Sequence, residues 1–389
     1  PWCVRTRGSR VEQGADILFY VEDPGAANFA VALPAALAGL GVSSTVLAHP
    51  SIAEYLTRRQ APHVAVAGEA DPARLLAAHA PRLVACGTAK NPDTLGLALI
   101  VAARAAGVPS AGLVDTRVGA ARRFSGRGRD PLGLAPDRLL VPDPWTRQDY
   151  VDLGFPAGNI TVCGHPHNDF LRAKREELRG LDREKLRRRF FPDAPAERPV
   201  VLFACARLDH HDDPELSRTA DYALAGWGDT HARALVVLEE VLDALARAGL
   251  DPWLVLRLHP KNTEAQYARY LPRVQQVSQA EPVFELTFAA DRMLGLSSML
   301  LEESLFFGVP TLAVLPRAVE REWLPCIAAG LIPSAADRGE LAALLPAFLE
   351  GSLPLPDAGR LEEYFICDAT AKAAAALASL AQGGGREGD

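Results

Sequence analysis

Short apolar runs of strand character alternate with alanine-rich helical stretches along almost the whole chain, and this alternation limits the fold more than any single motif. Residues 16–21, 44–48, 82–86, 110–114, 138–141 and 159–162 read as strands. Between them lie a turn at Pro24-Gly25, a helix over 28–39 and another over 94–106. After Pro192 and Pro195 the pattern restarts, with strands at 200–204, 253–258, 292–296 and 310–315. Strand, helix, strand at this spacing builds parallel βαβ units with right-handed crossovers. Strands covered on both faces read as unbroken apolar runs, as these do. The expected fold class is α/β, with two Rossmann-like doubly wound parallel-sheet domains facing across a cleft. The ligands of such sheets sit beyond the carboxyl ends of the strands.

The expected boundaries are a tail over 1–15, a first domain over 16–170, a charged linker over 171–196 and a second domain over 197–361. A C-terminal helix over 362–382 and a tail over 383–389 complete the chain. The linker interleaves Arg172, Lys174, Arg175, Arg179, Arg183, Lys185, Arg187, Arg188 and Arg189 with acidic residues. It reads as a solvated helix with i,i+4 charge pairs, or as an RNA-binding helix. A formal charge of -7 over 389 residues gives no electrostatic case for nucleic acid. Hydrophobic residues at 49% and charged residues at 23% exclude a disordered chain.

Cys3, Cys86, Cys163, Cys205, Cys326 and Cys367 are widely spaced with no CxxC pair. This argues for a reducing compartment and against a disulfide framework or structural zinc. No apolar run reads as a membrane span; the longest, residues 95–107, is interrupted by Arg104. Residues 1–8 do not read as a signal peptide, and the expected location is the cytoplasm.

Chemistry concentrates in a few places. In residues 296–310 a strand end is followed by Ser297, Ser298 and a helix carrying Glu302 and Glu303. Free N–H groups at such a helix start suit a diphosphate, and a carboxylate further on can accept both hydroxyls of a ribose. The same residues also make an ordinary serine cap with acidic residues in the first turns. Glu22 and Asp23 follow the first strand, where an acid can deprotonate an acceptor hydroxyl, or where aspartate simply starts a turn. Five arginines lie on the glycine-rich stretch 117–129, among them Arg122, Arg123 and Arg127. They suit a lid over an anionic ligand, or an exposed loop. Residues 209–213, Asp-His-His-Asp-Asp, have no spacing that sets a metal geometry, and no metal is expected.

Residues 297–310 resemble the nucleotide-sugar-binding segment of the non-hydrolysing UDP-N-acetylglucosamine 2-epimerases, members of the GT-B superfamily. The resemblance implies that Ser297 contacts the diphosphate and Glu303 holds the ribose. Arg257-Leu258-His259-Pro260-Lys261-Asn262 is similar to the family's strand-end His-Pro segment, which implies His259 near the diphosphate. Gly164-His165-Pro166 resembles the turn closing the first domain in the epimerases and in lipid A disaccharide synthases. Residues 367–372 and the helix after them resemble the last helix, which crosses back to the first domain. Relatives also place a basic residue where Arg207 stands, near the diphosphate.

The departures are in the first domain. Its first loop, residues 22–28, is acidic where the family has a basic residue, Pro-Glu and a downstream lysine. The family's catalytic Gly-Asp-Thr is Gly87-Thr88-Ala89 here, and Asp115 stands where the next strand ends in a catalytic glutamate. The leading expectation is a GT-B glycosyltransferase using a nucleotide sugar, expected to be UDP-linked, in glycan or cell-envelope synthesis. Glu22, Asp23 and Asp115 are the candidate catalytic acids, with Ser297, Ser298, His259, Arg207, Glu302 and Glu303 on the donor. Alternatives are a UDP-N-acetylglucosamine 2-epimerase and a non-catalytic nucleotide-sugar-binding protein. The expected partners are the nucleotide sugar, an acceptor that is a glycan, lipid or small molecule, and a second copy of the chain. No cofactor is expected.

Overall fold

The computed structural model describes residues 14–67, 69–88, 91–208 and 217–383. The chain divides into two compact units, Pro1–Phe170 with Phe365–Asp389, and Leu171–Tyr364. The first contains a seven-stranded parallel sheet: β1 (Ile17–Val21), β2 (Ser44–Ala48), β3 (Val64–Ala65), β4 (Leu83–Gly87), β5 (Ser110–Leu113), β6 (Arg138–Val141) and β7 (Ile160–Val162). Their order is β3-β2-β1-β4-β5-β6-β7. The second contains a six-stranded parallel sheet: β8 (Val200–Ala204), β9 (Trp253–Arg257), β10 (Gln276–Ser278), β11 (Arg292–Gly295), β12 (Thr311–Val314) and β13 (Ser334–Ala335). Its order is β10-β9-β8-β11-β12-β13. Both sheets reverse direction of winding at their first strand, between β1 and β4 and between β8 and β11. In a doubly wound sheet the ligand crevice lies outside the carboxyl ends at such a point.

The ten strands read from the sequence are all present, each within a residue or two at its ends. β3, β10 and β13 were not anticipated, because two or three residues at a sheet edge carry too little periodicity to be seen. The expected helix over 28–39 is two helices, Pro24–Ala30 and Leu33–Gly39. Pro24-Gly25 opens the first of them instead of forming a turn, with Pro24 in the first turn and Asp23 as its N-cap. Central strands β1, β4 and β8 are buried along their full length, as helices on both faces require.

Two glycines allow close approach at the strand ends. A Cβ on Gly87 would lie 2.3 Å from that of Ala26, so the helix after β1 can rest on the end of β4. Gly295, at the end of β11, is similarly crowded by Leu301 and Ala204.

Residues 171–196 group with the second unit. They are not a freely solvated stretch. Arg183 donates to Phe288 O at 2.9 Å and Ala290 O at 2.7 Å, Arg187 pairs with Asp291, and Lys174 pairs with Glu285 at 2.8 Å. Ala369–Ala381 belongs to the first unit, with Ala373, Ala374 and Leu377 at most 1% exposed in its core. Residues 358–381 are long and apolar enough to cross a membrane by length and composition, which corrects the reading of 95–107 as the longest such stretch. The fold breaks them at 365–368, where Asp368 is left-handed (φ 55°), and buries one face of the second part. Among the described residues five cysteines are free thiols, four of them buried.

Candidate functional site

In the first unit three strand ends converge. Asp23 follows β1, Thr88 follows β4 and Asp115 follows β5. Asp23 has extended backbone, and its Oδ1 accepts from Ala26 N at 2.8 Å. Asp115 reaches over the same helix start, so that a Cβ on Gly25 would fall 1.9 Å from its Oδ2. Arg123, 4% exposed, holds the group from behind. Its Nη1 donates to Asp115 Oδ1 (2.8 Å), Thr88 Oγ1 (2.6 Å) and Thr88 O (3.0 Å), and Nη2 donates to Val118 O (3.1 Å). Burial, followed by the charge of Asp115, pushes the Asp23 carboxyl up to about 6, against the lowering effect of the Ala26 N–H and Arg123. Asp23 thus lies well above the usual carboxylate range.

Glu22 faces elsewhere. Its Oε2 accepts from the hydroxyls of Tyr20, at 3.3 Å, and Thr94. Thr94 in turn caps the helix Leu95–Ala105 through Gly96 N. Glu22 is therefore bound into the wall of the site, and Asp23 is the acid that remains poised.

The arginine stretch is structured rather than a loose lid. Ala120–Arg123 forms a helical turn. Arg117 makes a two-pronged pair with Asp149 at 2.8 and 2.9 Å, and Arg127 does the same with exposed Asp93 at 2.6 and 2.7 Å. Arg123 points inward, which corrects its assignment as a loop cation; Arg122 is exposed. A cavity of about 820 Å³ lies at the other, amino edge of β4, β5 and β6, lined by Arg104, Ser110, Asp137 and Arg138 among others. It is remote from the switch point by the sense of the strands.

In the second unit, Ser298 caps the helix Met299–Phe306, accepting from Leu300 N at 3.2 Å. Ser297 Oγ accepts from Arg233 Nη2 at 3.2 Å. Glu302 is buried and accepts from Tyr364 OH at 3.2 Å, whereas Glu303 is half-buried one position round the helix. Glu302 thus serves the packing of this helix, and Glu303 is the carboxylate nearer solvent. His259 and Arg207 are half-buried, after β9 and β8. Asn262 ties these two loops together: its Nδ2 donates to Ala206 O and Tyr267 OH, both at 2.8 Å, and its Oδ1 accepts from Leu208 N at 3.3 Å. Residues 209–213 lie outside the described residues.

Three residues here escaped the sequence reading. Arg233 begins the helix Arg233–Arg247 and pairs with Glu320, which also accepts from Arg317 Nε at 2.8 Å. The i,i+3 spacing of Arg317 and Glu320 after a strand end was the available signal. Arg233 lies 87 positions from Glu320, so nothing local marked it.

No family model and no curated protein matches the sequence. Solved structures share its fold. The UDP-GlcNAc 2-epimerase from Methanocaldococcus jannaschii superposes with a TM-score of 0.63 at 12% identity, over 93% of this chain and 98% of that one. The Neisseria meningitidis UDP-GlcNAc 2-epimerase, bound to UDP-GlcNAc, gives 0.59 at 14% identity, over 94% and 98%. The glycotransferase of kitacinnamycin gives 0.57 at 18% identity, over 95% and 99%. The fold is GT-B. The expected pair of Rossmann-like domains is present, and each GT-B unit carries candidate residues at its switch point. The first gathers Asp23, Thr88, Asp115 and Arg123; the second gathers Ser297, Ser298 and Arg233.

Proposed function

We propose that this chain is a nucleotide-sugar-dependent glycosyltransferase, with a UDP-linked donor, acting in glycan or cell-envelope synthesis. The observation that carries the reading is Asp23, an acid at the carboxyl end of a central strand beside Asp115, whose carboxyl is pushed up to about 6 by burial and the Asp115 charge. A general base works best with a pKa near the operating pH. Its carboxylate takes the proton of an acceptor hydroxyl as that oxygen bonds to C1 of the sugar. The bond from C1 to the phosphate oxygen breaks, and the nucleoside diphosphate leaves. Ser297, Ser298, His259 and Arg207 hold the diphosphate, and Glu303 holds the ribose. Similar structures bound to UDP-GlcNAc support this donor class.

A thermal-shift panel of UDP, CDP, GDP and AMP tests the reading. A ligand at a hundred times its Kd stabilises the folded state by about 2.7 kcal/mol. UDP is expected to raise Tm by several degrees and AMP not at all; a flat panel overturns the proposal. Glu303→Gln is expected to keep the fold and lose roughly 1.5–3 kcal/mol of UDP affinity by calorimetry, the scale of a hydrogen bond to a charged group. Unchanged affinity removes Glu303 from the ribose.

The second reading, a nucleotide-sugar 2-epimerase, is favoured by the several UDP-GlcNAc 2-epimerases among the similar structures. Epimerisation at C2 needs acid and base groups on both faces of the sugar. Here Thr88 cannot ionise usefully, and Arg123 holds Asp115 Oδ1. No solvent deuterium is expected at C2 of UDP-N-acetylglucosamine after long incubation in heavy water. NMR showing clear incorporation reverses the order of the two readings.

A further inference from the structure

We infer that the cavity at the amino edge of β4, β5 and β6 is a second ligand site, built for a small molecule with a flat apolar body and one carboxylate. It is independent of the donor and acceptor readings above. Leu83, Ser110 and Arg138, which open the three strands, all line it. Asp23 and Asp115 follow the far ends of β1 and β5, so parallel strand direction sets the cavity at the opposite end of the same sheet. At about 820 Å³ it falls inside the range of roughly 300–1,000 Å³ in which small-molecule sites lie. One part of the lining is apolar: Leu83, Val108, Phe155, Pro156 and Leu380. Leu83 and Phe155 are 0% and 6% exposed, so core packing fixes this wall before any ligand arrives. An aromatic ring laid on it leaves water at little cost.

The polar part of the lining supplies donors that the fold leaves uncommitted. Among the described residues the half-buried Arg138 guanidinium makes no hydrogen bond and no ion pair, and the half-buried Asn159 amide makes no side-chain hydrogen bond. Arg104 donates from Nη2 to Ala135 O, which ties its guanidinium to the residue before Pro136 on the same lining. Asp137, the acid of the described lining, is already engaged. Its Oδ2 accepts from Ser110 N and Ser110 Oγ, both at 2.8 Å. Its charge is thus committed to the start of β5, and Arg138 and Asn159 stay open to a ligand. A guanidinium presents two parallel N–H groups that fit the two oxygens of a carboxylate, and an amide N–H₂ can take a further lone pair. The apolar wall selects against a polyol, whose hydroxyls would lose water there without new partners. The combination fits an aromatic carboxylate better than a sugar.

Calorimetry of the full chain with 2-naphthoate and its neutral isostere 2-naphthamide tests this. Naphthoate is expected to bind once per chain, roughly tenfold or more tightly than the amide, with an affinity that falls as salt is added. Arg138→Gln removes the fork and orphans no described partner. It is expected to weaken naphthoate roughly tenfold or more, the scale of charge-assisted hydrogen bonds, and to leave naphthamide unchanged. Val108→Trp fills the cavity and is expected to abolish binding of both probes. Urea unfolding checks that each variant is folded; should the tryptophan variant not fold, Arg138→Gln alone decides. Naphthoate bound as tightly by either folded variant as by the parent lies elsewhere on the protein and overturns the inference. So does equal affinity for the two probes, and so does failure of the full chain to bind naphthoate. None of these outcomes touches the donor reading, which the UDP panel tests separately.

Discussion

Asp23→Asn is expected to slow release of nucleoside diphosphate from the sugar donor by roughly 10²- to 10⁴-fold, the range for loss of a general base, with nucleotide affinity unchanged. Asparagine keeps the carbonyl oxygen that accepts from Ala26 N, so the helix start survives. In the parent, the rate should rise with pH through about 6 and then level, following ionisation of Asp23. The same carboxyl makes a stability prediction of definite sign. Its folded pKa lies above the ordinary value of 3.8, so the folded state binds more protons than the unfolded one between about pH 4 and 6. Stability therefore falls as pH rises through that window. The asparagine variant should be more stable than the parent at pH 8, by up to about 3 kcal/mol, with the gain shrinking towards pH 4. Full turnover in the variant removes Asp23 from catalysis. Parallel melting curves at both pH values would show that its carboxyl is not raised.

Arg123→Met is expected to cost about 3–5 kcal/mol in denaturant unfolding, the usual result of breaking a buried ion pair on one side. The guanidinium serves Asp115, the hydroxyl and carbonyl of Thr88, and Val118 O, and methionine replaces none of these bonds. It also leaves Asp115 beside Asp23 without its Arg123 counter-charge. Adding Asp115→Asn should recover part of the loss, because the two residues interact directly and their effects cannot add independently. A single variant within about 1 kcal/mol of the parent would mean that Arg123 is not the post on which this site is built.

Asp23 and Arg123 differ in how far their own sequence neighbourhoods mark them. Asp23 could be singled out by its place after a strand run, yet its local setting, Asp-Pro-Gly, suits a turn and a helix start equally. Both use an aspartate oxygen on a nearby N–H and a proline with fixed φ. The helix won because Gly25 and Gly87 let it lie against Asp115 and the end of β4. Arg122 and Arg123 are identical neighbours in sequence. One helical turn leaves the first exposed and sends the second into the core, where only the fold supplies Asp115 and Thr88.

The strands and the two-domain α/β class could be read directly, since burial on both faces imposes an unbroken apolar run that each segment carries within itself. The short edge strands could not, because their pairing depends on a neighbour and not on their own pattern. The serines after β11 and the glutamates of the following helix were visible for the same local reason as the strands. Glu302 and Glu303 were nevertheless equivalent until the helix turned one towards Tyr364. The cluster of Arg233, Glu320 and Arg317 lies beyond any local pattern. Arg233 opens one helix and Arg317 and Glu320 share a short segment after β12, and they meet because parallel strand order brings distant strand ends to one edge, where long-range pairing decides which charges become neighbours.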